Sequence, residues 1–190
     1  MSARHGLFAV SLALLFCAVV QGTPVQWSTG SGGNGNYYEV VANASKMTWS
    51  DAKTAAEGWE YMGLSGHLVS VTSSAENSFV AALLMGIDNS AYGGGFQPAG
   101  SAEPAGGWTW TTGEAWVYTH WGAGEPNNSG PTGPENALEI RSSAYGGTWN
   151  DYDAEFAALD TFIVEYIPEP ATLSLLAAGL GGLLLRRKRK

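Results

Sequence analysis

Runs of hydrophobic residues, separated by polar and glycine-rich stretches, divide residues 37–166 into predicted strands and helices. The first and last runs, residues 37–42 and 161–166, are rich in aromatic and β-branched residues, a composition typical of strands. Shorter runs predict further strands at residues 67–71, 108–111, 137–141 and 148–150. We expect the first and last strands to pair and to bring the ends of one domain together.

Two helices are predicted early in this region, each from a start signal. Thr48 precedes Asp51 by three residues and leads into several alanines, and Ser73 stands in the same relation to Glu76. In such a capping box, the hydroxyl and the carboxylate satisfy backbone N–H groups that the first helical turn leaves without partners.

Polar stretches predict loops and a spacer. Residues 89–107 and 122–134 are rich in Gly, Pro, Asn and Ser and are predicted to be loops. Residues 28–36 are polar and glycine-rich, so we expect a flexible linker over residues 23–36. Early helices followed by short strands, without a repeated βαβ unit, predict an α+β fold with short antiparallel sheets.

The N-terminus has the pattern of a secretory signal. Arg4 and His5 precede an apolar stretch over residues 7–20, and residues 1–22 are a predicted signal peptide. An N-terminal membrane anchor and a lipoprotein are the alternatives. The stretch is short for a hydrocarbon core of ~30 Å, and Phe16 is bulky where a lipoprotein signal has a small residue.

The C-terminal segment, residues 167–190, combines Pro168-Glu169-Pro170 with fifteen uncharged residues and five consecutive basic residues. As a helix the uncharged stretch would be roughly 22 Å long, which is marginal for a membrane span. A plain tail anchor is one interpretation. The segment also resembles the PEP-CTERM sorting signal of Gram-negative bacteria. That resemblance implies transient anchoring in the inner membrane by a transmembrane helix, processing by an exosortase-type enzyme, and delivery to the cell surface or the extracellular polysaccharide.

Charge and cysteine content narrow the possible partners. The chain has a formal net charge of −8, but five of its nine basic residues are the last five. Between residues 23 and 167, only Lys46, Lys53 and Arg141 stand against sixteen acidic residues. This acidic excess disfavours nucleic acids and anionic membranes and is compatible with cation binding. The single cysteine, Cys17, lies in the predicted signal peptide, so the processed protein would have no thiol chemistry.

Side chains with hard oxygen donors cluster in the C-terminal half of the domain. They occur in Glu125-Pro126-Asn127, at Glu135, and in Trp149-Asn150-Asp151. Five side-chain oxygen sources and a backbone carbonyl approach the six to eight oxygens that calcium takes at roughly 2.3 to 2.6 Å. The pattern predicts a calcium site formed by Glu125, Asn127, Glu135, Asn150 and Asp151.

The order of landmarks along the domain resembles the C-type lectin domain of the mannose-type subclass. The landmarks are Met47-Thr-Trp-Ser, Gly66-His-Leu-Val-Ser-Val, Ala75-Glu-Asn-Ser-Phe79, Met85-Gly-Ile-Asp88, Trp108-Thr-Trp-Thr-Thr-Gly113, the two tripeptides with calcium donors, and Phe162-Ile-Val-Glu-Tyr166. The resemblance implies a cis Glu125-Pro126 bond and a calcium ion whose shell is completed by two neighbouring hydroxyls of one sugar. It also implies that Glu125, Asn127, Glu135 and Asn150 hydrogen-bond those hydroxyls, which would be equatorial as in mannose, glucose or N-acetylglucosamine.

The chain departs from the family where the animal members carry two disulfides. Those positions are Ala56 with Val164, and Ala137 with Ala154. Disulfides in small secreted domains contribute about 2 to 5 kcal/mol. We therefore expect the tryptophan-rich composition and calcium itself to compensate for them.

Two further departures concern the site. Asn128 and Asn136 stand where many relatives have aspartates of an auxiliary calcium site, so one ion is expected rather than two. Residues 128–134 form a long Ser/Gly/Pro loop that can alter which sugars fit.

The leading functional hypothesis is an exported, non-enzymatic, calcium-dependent carbohydrate-binding protein. The alternative is a C-type-lectin-like surface protein that binds other proteins, with calcium structural or absent. A glycoside hydrolase would use Glu125 and Glu135 as acid and base, but carboxylates that bind one calcium ion are not free for proton transfer. Packing roles rather than ligand contacts are expected for His67, His120, Trp121 and Trp149.

Overall fold

A computed structural model describes residues 20–168 of the 190-residue chain. It contains two helices, α1 (Trp49–Glu57) and α2 (Ser74–Leu84). The ten strands are β1 (Val20–Gln21), β2 (Val25–Gln26), β3 (Tyr37–Met47), β4 (Glu60–Tyr61), β5 (Leu64–Leu68), β6 (Ser90–Phe96), β7 (Thr109–Trp110), β8 (Glu135–Arg141), β9 (Trp149–Asp153) and β10 (Leu159–Tyr166).

Nearly all of the predicted signal peptide and sorting segment lies outside the described residues. Across residues 20–168, every helix is too short or too polar to cross a lipid bilayer.

The first and last long strands of the domain pair with each other, as the sequence predicts. Strand β3 runs antiparallel to β10, with Tyr37 opposite Tyr166 and Val41 opposite Phe162. The main sheet continues in the order β1-β3-β10-β6-β8-β9. The α+β fold class is confirmed, although the sheet is mixed, because β10 and β6 pair in parallel at Phe162 and Tyr92. Strands β8 and β9 form one edge of this sheet, and the predicted calcium ligands lie on or beside them.

The domain interior consists of two hydrophobic clusters. The first contains most of the buried tryptophans and the apolar face of α2. The second contains Ala56, Val164, Ala137 and Ala154, the four positions that carry disulfides in the resembling family. Small apolar side chains thus fill the positions of both cross-links.

Strand β6 lies inside residues 89–107, so the predicted loop there is wrong for its first part. Gly93, Gly94 and Gly95 contribute to the glycine content that predicts a loop, but close packing in the sheet requires glycine at these positions. A Cβ on Gly93 would lie 2.8 Å from Ile140, and one on Gly94 would lie 2.6 Å from the carbonyl oxygen of Leu68. Glycine there lets β6 approach its neighbours closely.

Only one of the two predicted capping boxes forms completely. At α1, the Thr48 hydroxyl accepts from the Asp51 amide, and the Asp51 carboxylate accepts from the Thr48 amide. At α2, the Ser73 hydroxyl accepts from the Glu76 amide at 3.2 Å. The Glu76 carboxylate instead turns into the protein and accepts from the amide of Thr72 at 2.7 Å.

The segment predicted as a flexible linker, residues 23–36, is folded against the domain. Strand β2 pairs with Tyr37 and Tyr38, and the ring of Trp27 stacks on that of Phe79 at 5.6 Å between centroids. The amide of Trp27 donates to the carbonyl of Asn36 at 2.9 Å, which closes the glycine-rich run into a loop.

Candidate functional site

Asp151 holds the loop that contains Glu125 and Asn127 against strand β9. Its carboxylate is fully buried and accepts from the Asn127 amide, at 3.0 Å to each oxygen. It also accepts from the Asn128 amide at 2.7 Å. A buried carboxylate on a rigid strand therefore fixes the backbone of a loop 23 residues earlier in the chain.

Glu135, at the start of β8, closes the neighbouring loop in the same way. One of its carboxylate oxygens accepts from the Ser129 amide at 2.9 Å. Its own amide donates to the side-chain oxygen of Asn128 at 2.7 Å. Asn128, which stands where many relatives have an aspartate, thus supports the loop that separates the two halves of the site.

The other three predicted ligands lie on the same side of this frame. The Asn127 side-chain amide donates to a carboxylate oxygen of Glu125, and the Glu125-Pro126 peptide bond is cis, as the family resemblance implies. The side-chain amide of Asn150, next to Asp151 on β9, donates to the Asp151 carbonyl at 2.6 Å. Direct or shared hydrogen bonds thus link all five predicted ligands: Glu125 with Asn127, both Asn127 and Asn150 with Asp151, and Glu135 through Asn128.

Burial and neighbouring carboxylates raise the pKa values of Glu125 and Glu135. Burial is the main cause that raises the pKa of Glu125, and the charge of Asp151 adds to it, while Arg141 acts in the opposite direction. Burial likewise raises the pKa of Glu135, opposed by its hydrogen bond from Ser129 and increased by the nearby charges of Asp151 and Glu125. Negative charge is concentrated here with a single arginine to offset it.

The residues present fit a calcium ion, provided that amide oxygens take part. Within residues 20–168, no three Asp, Glu, His or Cys side chains are arranged to bind a metal by themselves. Two of the five predicted ligands are asparagines, and the carboxylates of Asp151 and Glu135 are partly engaged by backbone amides. Crowded carboxylates together with amide oxygens are nevertheless the donor set that calcium prefers.

The tryptophans next to the site have packing roles, as the sequence predicts. Trp149 is fully buried, and its indole N–H donates to the side chain of Asn77 on α2 at 2.7 Å. Trp121 packs edge-on against Trp149, with 5.7 Å between centroids. These contacts fix the start of β9 and hence Asn150 and Asp151. His120 also has a structural contact: its Nε2 lies 3.2 Å from the carbonyl oxygen of Gly146.

Two residues beside the site carried no signal in the sequence. Asp153 accepts from the hydroxyl of Thr132 and so fastens the Ser/Gly/Pro loop to β9. Arg141, the last residue of β8, places its Nε 3.6 Å from a carboxylate oxygen of Glu139. The positions of Asp153 and Arg141 beside the site depend on the register between β8 and β9, which local sequence patterns do not reveal.

Two family profiles match the chain. The first, described as the Lectin C-type domain, covers residues 45–158. The second, the PEP-CTERM protein-sorting motif, covers residues 167–190. Both resemblances inferred from the sequence are thereby confirmed.

Curated relatives share part of their length with this chain. Collectin-43 of Bos taurus is 39% identical over 89 residues, which are 46% of this chain and 26% of that protein. Regenerating islet-derived protein 3-gamma of Rattus norvegicus is 34% identical over 120 residues, 61% of this chain and 64% of that protein. Halomucin of Haloquadratum walsbyi is 38% identical over 96 residues, only 1% of its length. The chain therefore spans less than two thirds of each relative.

The fold also matches solved structures. The C-type lectin CEL-I from Cucumaria echinata aligns with a TM-score of 0.56 and 26% identity, over 70% of this chain and 90% of that one. Human lithostathine aligns with a TM-score of 0.54 and 22% identity, over 87% of this chain and all of that one. These similarities confirm a C-type lectin-like fold.

Proposed function

Because this chain belongs to the family of C-type lectin domains, a lectin family that is generally non-enzymatic, we propose that it is an exported lectin that binds sugars through calcium. The observation that carries the proposal is the frame built by Asp151. This buried carboxylate fixes the loop of Glu125 and Asn127 beside Asn150, where the three side chains supply oxygen donors to a common ion.

In this proposal, the ligands of the ion are Glu125, Asn127, Glu135, Asn150 and Asp151. When bound, calcium would accept lone pairs from two adjacent sugar hydroxyls. The amides of Asn127 and Asn150 would donate hydrogen bonds to those hydroxyl oxygens, and the carboxylates of Glu125 and Glu135 would accept hydrogen bonds from the hydroxyl groups. Each bound hydroxyl would then have both a hydrogen-bond donor and an acceptor. The site would therefore recognise the relative positions of the two hydroxyls.

The sugar class is inferred from the order Glu125-Pro126-Asn127, which in the mannose-type subclass accompanies equatorial neighbouring hydroxyls. We therefore propose mannose, glucose or N-acetylglucosamine as the ligand type, with one calcium ion per domain. The loop over residues 128–134 lies beside the site through Ser129 and Thr132, so it is the element that would narrow this choice.

The sorting motif gives the lectin its place of action. A PEP-CTERM motif implies export and association with the cell surface. We propose that residues 1–22 are removed as a signal peptide, that residues 37–166 form the lectin domain, and that an exosortase-type enzyme processes the segment 167–190 after transient anchoring in the inner membrane. The lectin would then act at the cell surface or in the extracellular polysaccharide, where many copies held close together would raise a weak single-site affinity.

The test is a sugar titration of the full-length chain by calorimetry, with excess calcium and again with excess chelator. We expect mannose, glucose or N-acetylglucosamine to bind only with calcium, and galactose to bind more weakly. Calcium alone should stabilise the fold by about 2.7 kcal/mol at a concentration of 100 times its Kd, measured by thermal unfolding. Calcium-dependent stabilisation without sugar binding would favour the protein-binding alternative. Binding that survives the chelator would contradict the proposed mechanism.

A further inference from the structure

Arg141 is the residue beside the candidate site that the proposed mechanism does not use. Its Nη1 lies 3.7 Å from the point where a Cβ on Gly122 would stand, and the Cγ of Glu125 lies 3.5 Å from that same point. The guanidinium group also opposes the rise in the pKa of Glu125. These observations place a positive charge at the rim of the proposed calcium site.

The guanidinium group of Arg141 has spare hydrogen-bonding capacity. Its nearest acidic partner is Glu139, 3.6 Å from Nε, which leaves the forked end of the side chain out of that contact. Within the described residues, no hydrogen bond is made by either Nη atom of Arg141. The Arg141 side chain is 35% exposed to solvent. The fork of an arginine matches the paired oxygens of a carboxylate or sulfate.

A cavity next to the site provides room for a substituent of a bound sugar. It has a volume of about 250 Å³ and is lined by Asn89, Ser90, Glu139, Arg141 and Tyr145. Glu139 is paired directly across the sheet with Asn150, and directly paired residues project their side chains to the same face. Arg141 thus lines this cavity and also lies near Glu125, while Glu139, another residue of the cavity wall, shares a sheet face with Asn150.

The charge distribution makes this arginine unusual in the domain. Between residues 23 and 167, the other basic residues are Lys46 and Lys53, and Lys53 is paired with Glu57 on α1 at 2.6 Å. The many distant carboxylates repel an anionic ligand only weakly at physiological salt, where the screening length is about 8 Å. A guanidinium group in direct contact with the anion opposes that screened repulsion, and the carboxylate of Glu139 in the cavity wall lies against Nε of the same arginine.

We infer that Arg141 selects glycans that carry a negatively charged group, a carboxylate or a sulfate ester, next to the pair of hydroxyls held at the calcium site. The inference rests on the proposed function. The calcium site recognises the hydroxyl pair, while Arg141 binds the charged group in the cavity beside it. Acidic polysaccharides, with uronic acid or sulfated units, are the ligand class that this pairing fits.

The test compares methyl glucoside, its uronic acid counterpart and its sulfate ester as ligands of the full-length chain in excess calcium. For the native protein, we expect at least one charged ligand to bind roughly tenfold more tightly than the neutral one, the size of effect that a charge-assisted contact gives. Arg141→Gln should bring that ratio to about one, with the affinity of the variant for the neutral sugar as its own reference. Arg141→Lys should retain part of the preference. Higher salt should reduce the ratio in the native protein.

Lys46→Gln is the matched control, because it removes the same charge from β3 and should keep the preference intact. Preference for one anion and not the other identifies the group recognised and supports the inference. Equal affinity for neutral and charged sugars, or a preference that survives Arg141→Gln, overturns it while the lectin proposal stands. If calcium stabilises the chain but neither these three ligands nor mannose nor N-acetylglucosamine binds, both the inference and the proposed function are wrong.

Discussion

Two groups of carboxylates in this domain are satisfied in different ways. The first, here called the loop carboxylates, comprises Glu125, Glu135 and Asp151 beside β9. The second, the buried pair, comprises Glu76 and Glu165, which are 2% and 1% exposed. Each group concentrates negative charge in a small volume, and the difference lies in where its hydrogen-bond donors come from.

The donors of the buried pair come from segments far apart in the chain. Glu165 accepts from the Asn36 side chain at 2.7 Å and from the Ser70 amide at 3.0 Å. Glu76 accepts from the Tyr38 hydroxyl at 2.6 Å, and burial together with both carboxylates raises the pKa of that tyrosine, which keeps it protonated as a donor. The buried pair is thus stabilised by the protein itself.

The loop carboxylates receive mainly backbone amides from a single loop, residues 127–129, and these organise the loop more than they neutralise it. Within the described residues, Glu125 accepts one hydrogen bond, from the side chain of Asn127. Donors from the protein satisfy the buried pair, whereas in the proposed function a calcium ion balances the charge of the loop carboxylates. The two groups should therefore respond differently to pH, calcium and mutation.

The largest expected effect separates the groups by pH. Burial, with the charge of Glu76, raises the pKa of Glu165 from 4.5 to about 8. A raised carboxyl pKa stabilises the fold fully below 4.5, and this contribution is lost as pH rises through about 8. In excess calcium, the free energy of unfolding should therefore fall between pH 5 and 8, by up to about 1.4 kcal/mol per pH unit from this one group.

Glu165→Gln should flatten that slope, as measured by urea unfolding at a series of pH values. Some slope should remain, because burial also raises the pKa of Glu39. The matched control is Glu60→Gln on the exposed strand β4, which should leave the slope unchanged. A native protein whose stability rises from pH 5 to 8 in calcium would show that the buried pair is charged and satisfied throughout this range.

The next effect concerns the loop carboxylates. Asp151→Asn removes a carboxylate from the proposed site and halves the acceptors that hold the loop of Asn127. We expect calcium-dependent sugar affinity to fall by more than roughly 100-fold, since changes one shell further from a metal already cost 10- to 100-fold. Calorimetric titration measures the loss, and thermal unfolding in chelator checks that the variant still folds.

Asp160→Asn is the control for that variant, because it makes the same chemical change on β10 away from the site. It should bind sugar as the native protein does. If Asp151→Asn keeps both its calcium-dependent stabilisation and its sugar affinity, then Asp151 acts only as a support of the loop and is not a ligand.

The sequence predicts those parts of the fold that depend on local patterns. The helix start at Thr48 and the pairing of the end strands follow from residue types and spacing alone. Strand β6 was missed because its glycines predict a loop. Glycine is required at position 94 because a Cβ there would lie 2.6 Å from the carbonyl oxygen of Leu68. Such a contact exists only after the sheet has formed. The folded N-terminal segment was missed for the same reason, since Asn36 finds its partner 129 residues away.

The candidate site shows the same division. The five proposed ligands were predicted because their motifs are short and ordered along the chain. Arg141 received no functional role because its position beside Glu125 depends on the loop that Asp151 folds back over β8 and β9. Motifs identify the proposed ligands, whereas tertiary contacts determine which other side chains lie beside them.

The smallest expected effect tests whether the buried pair is independent of the site. Asn34→Ala removes donors to the Tyr38 hydroxyl, at 2.7 Å, and to Glu76, at 3.0 Å. We expect the free energy of unfolding to fall by about 1 kcal/mol, with calcium and sugar affinity unchanged. Asn43→Ala should cost less, because within residues 20–168 the hydrogen bond of the Asn43 side chain goes to the sulfur of Met47, at 3.6 Å. Equal losses for the two variants would mean that the N-terminal segment adds nothing to the buried pair. A loss of sugar affinity in Asn34→Ala would mean that the two groups of carboxylates are coupled through the sheet.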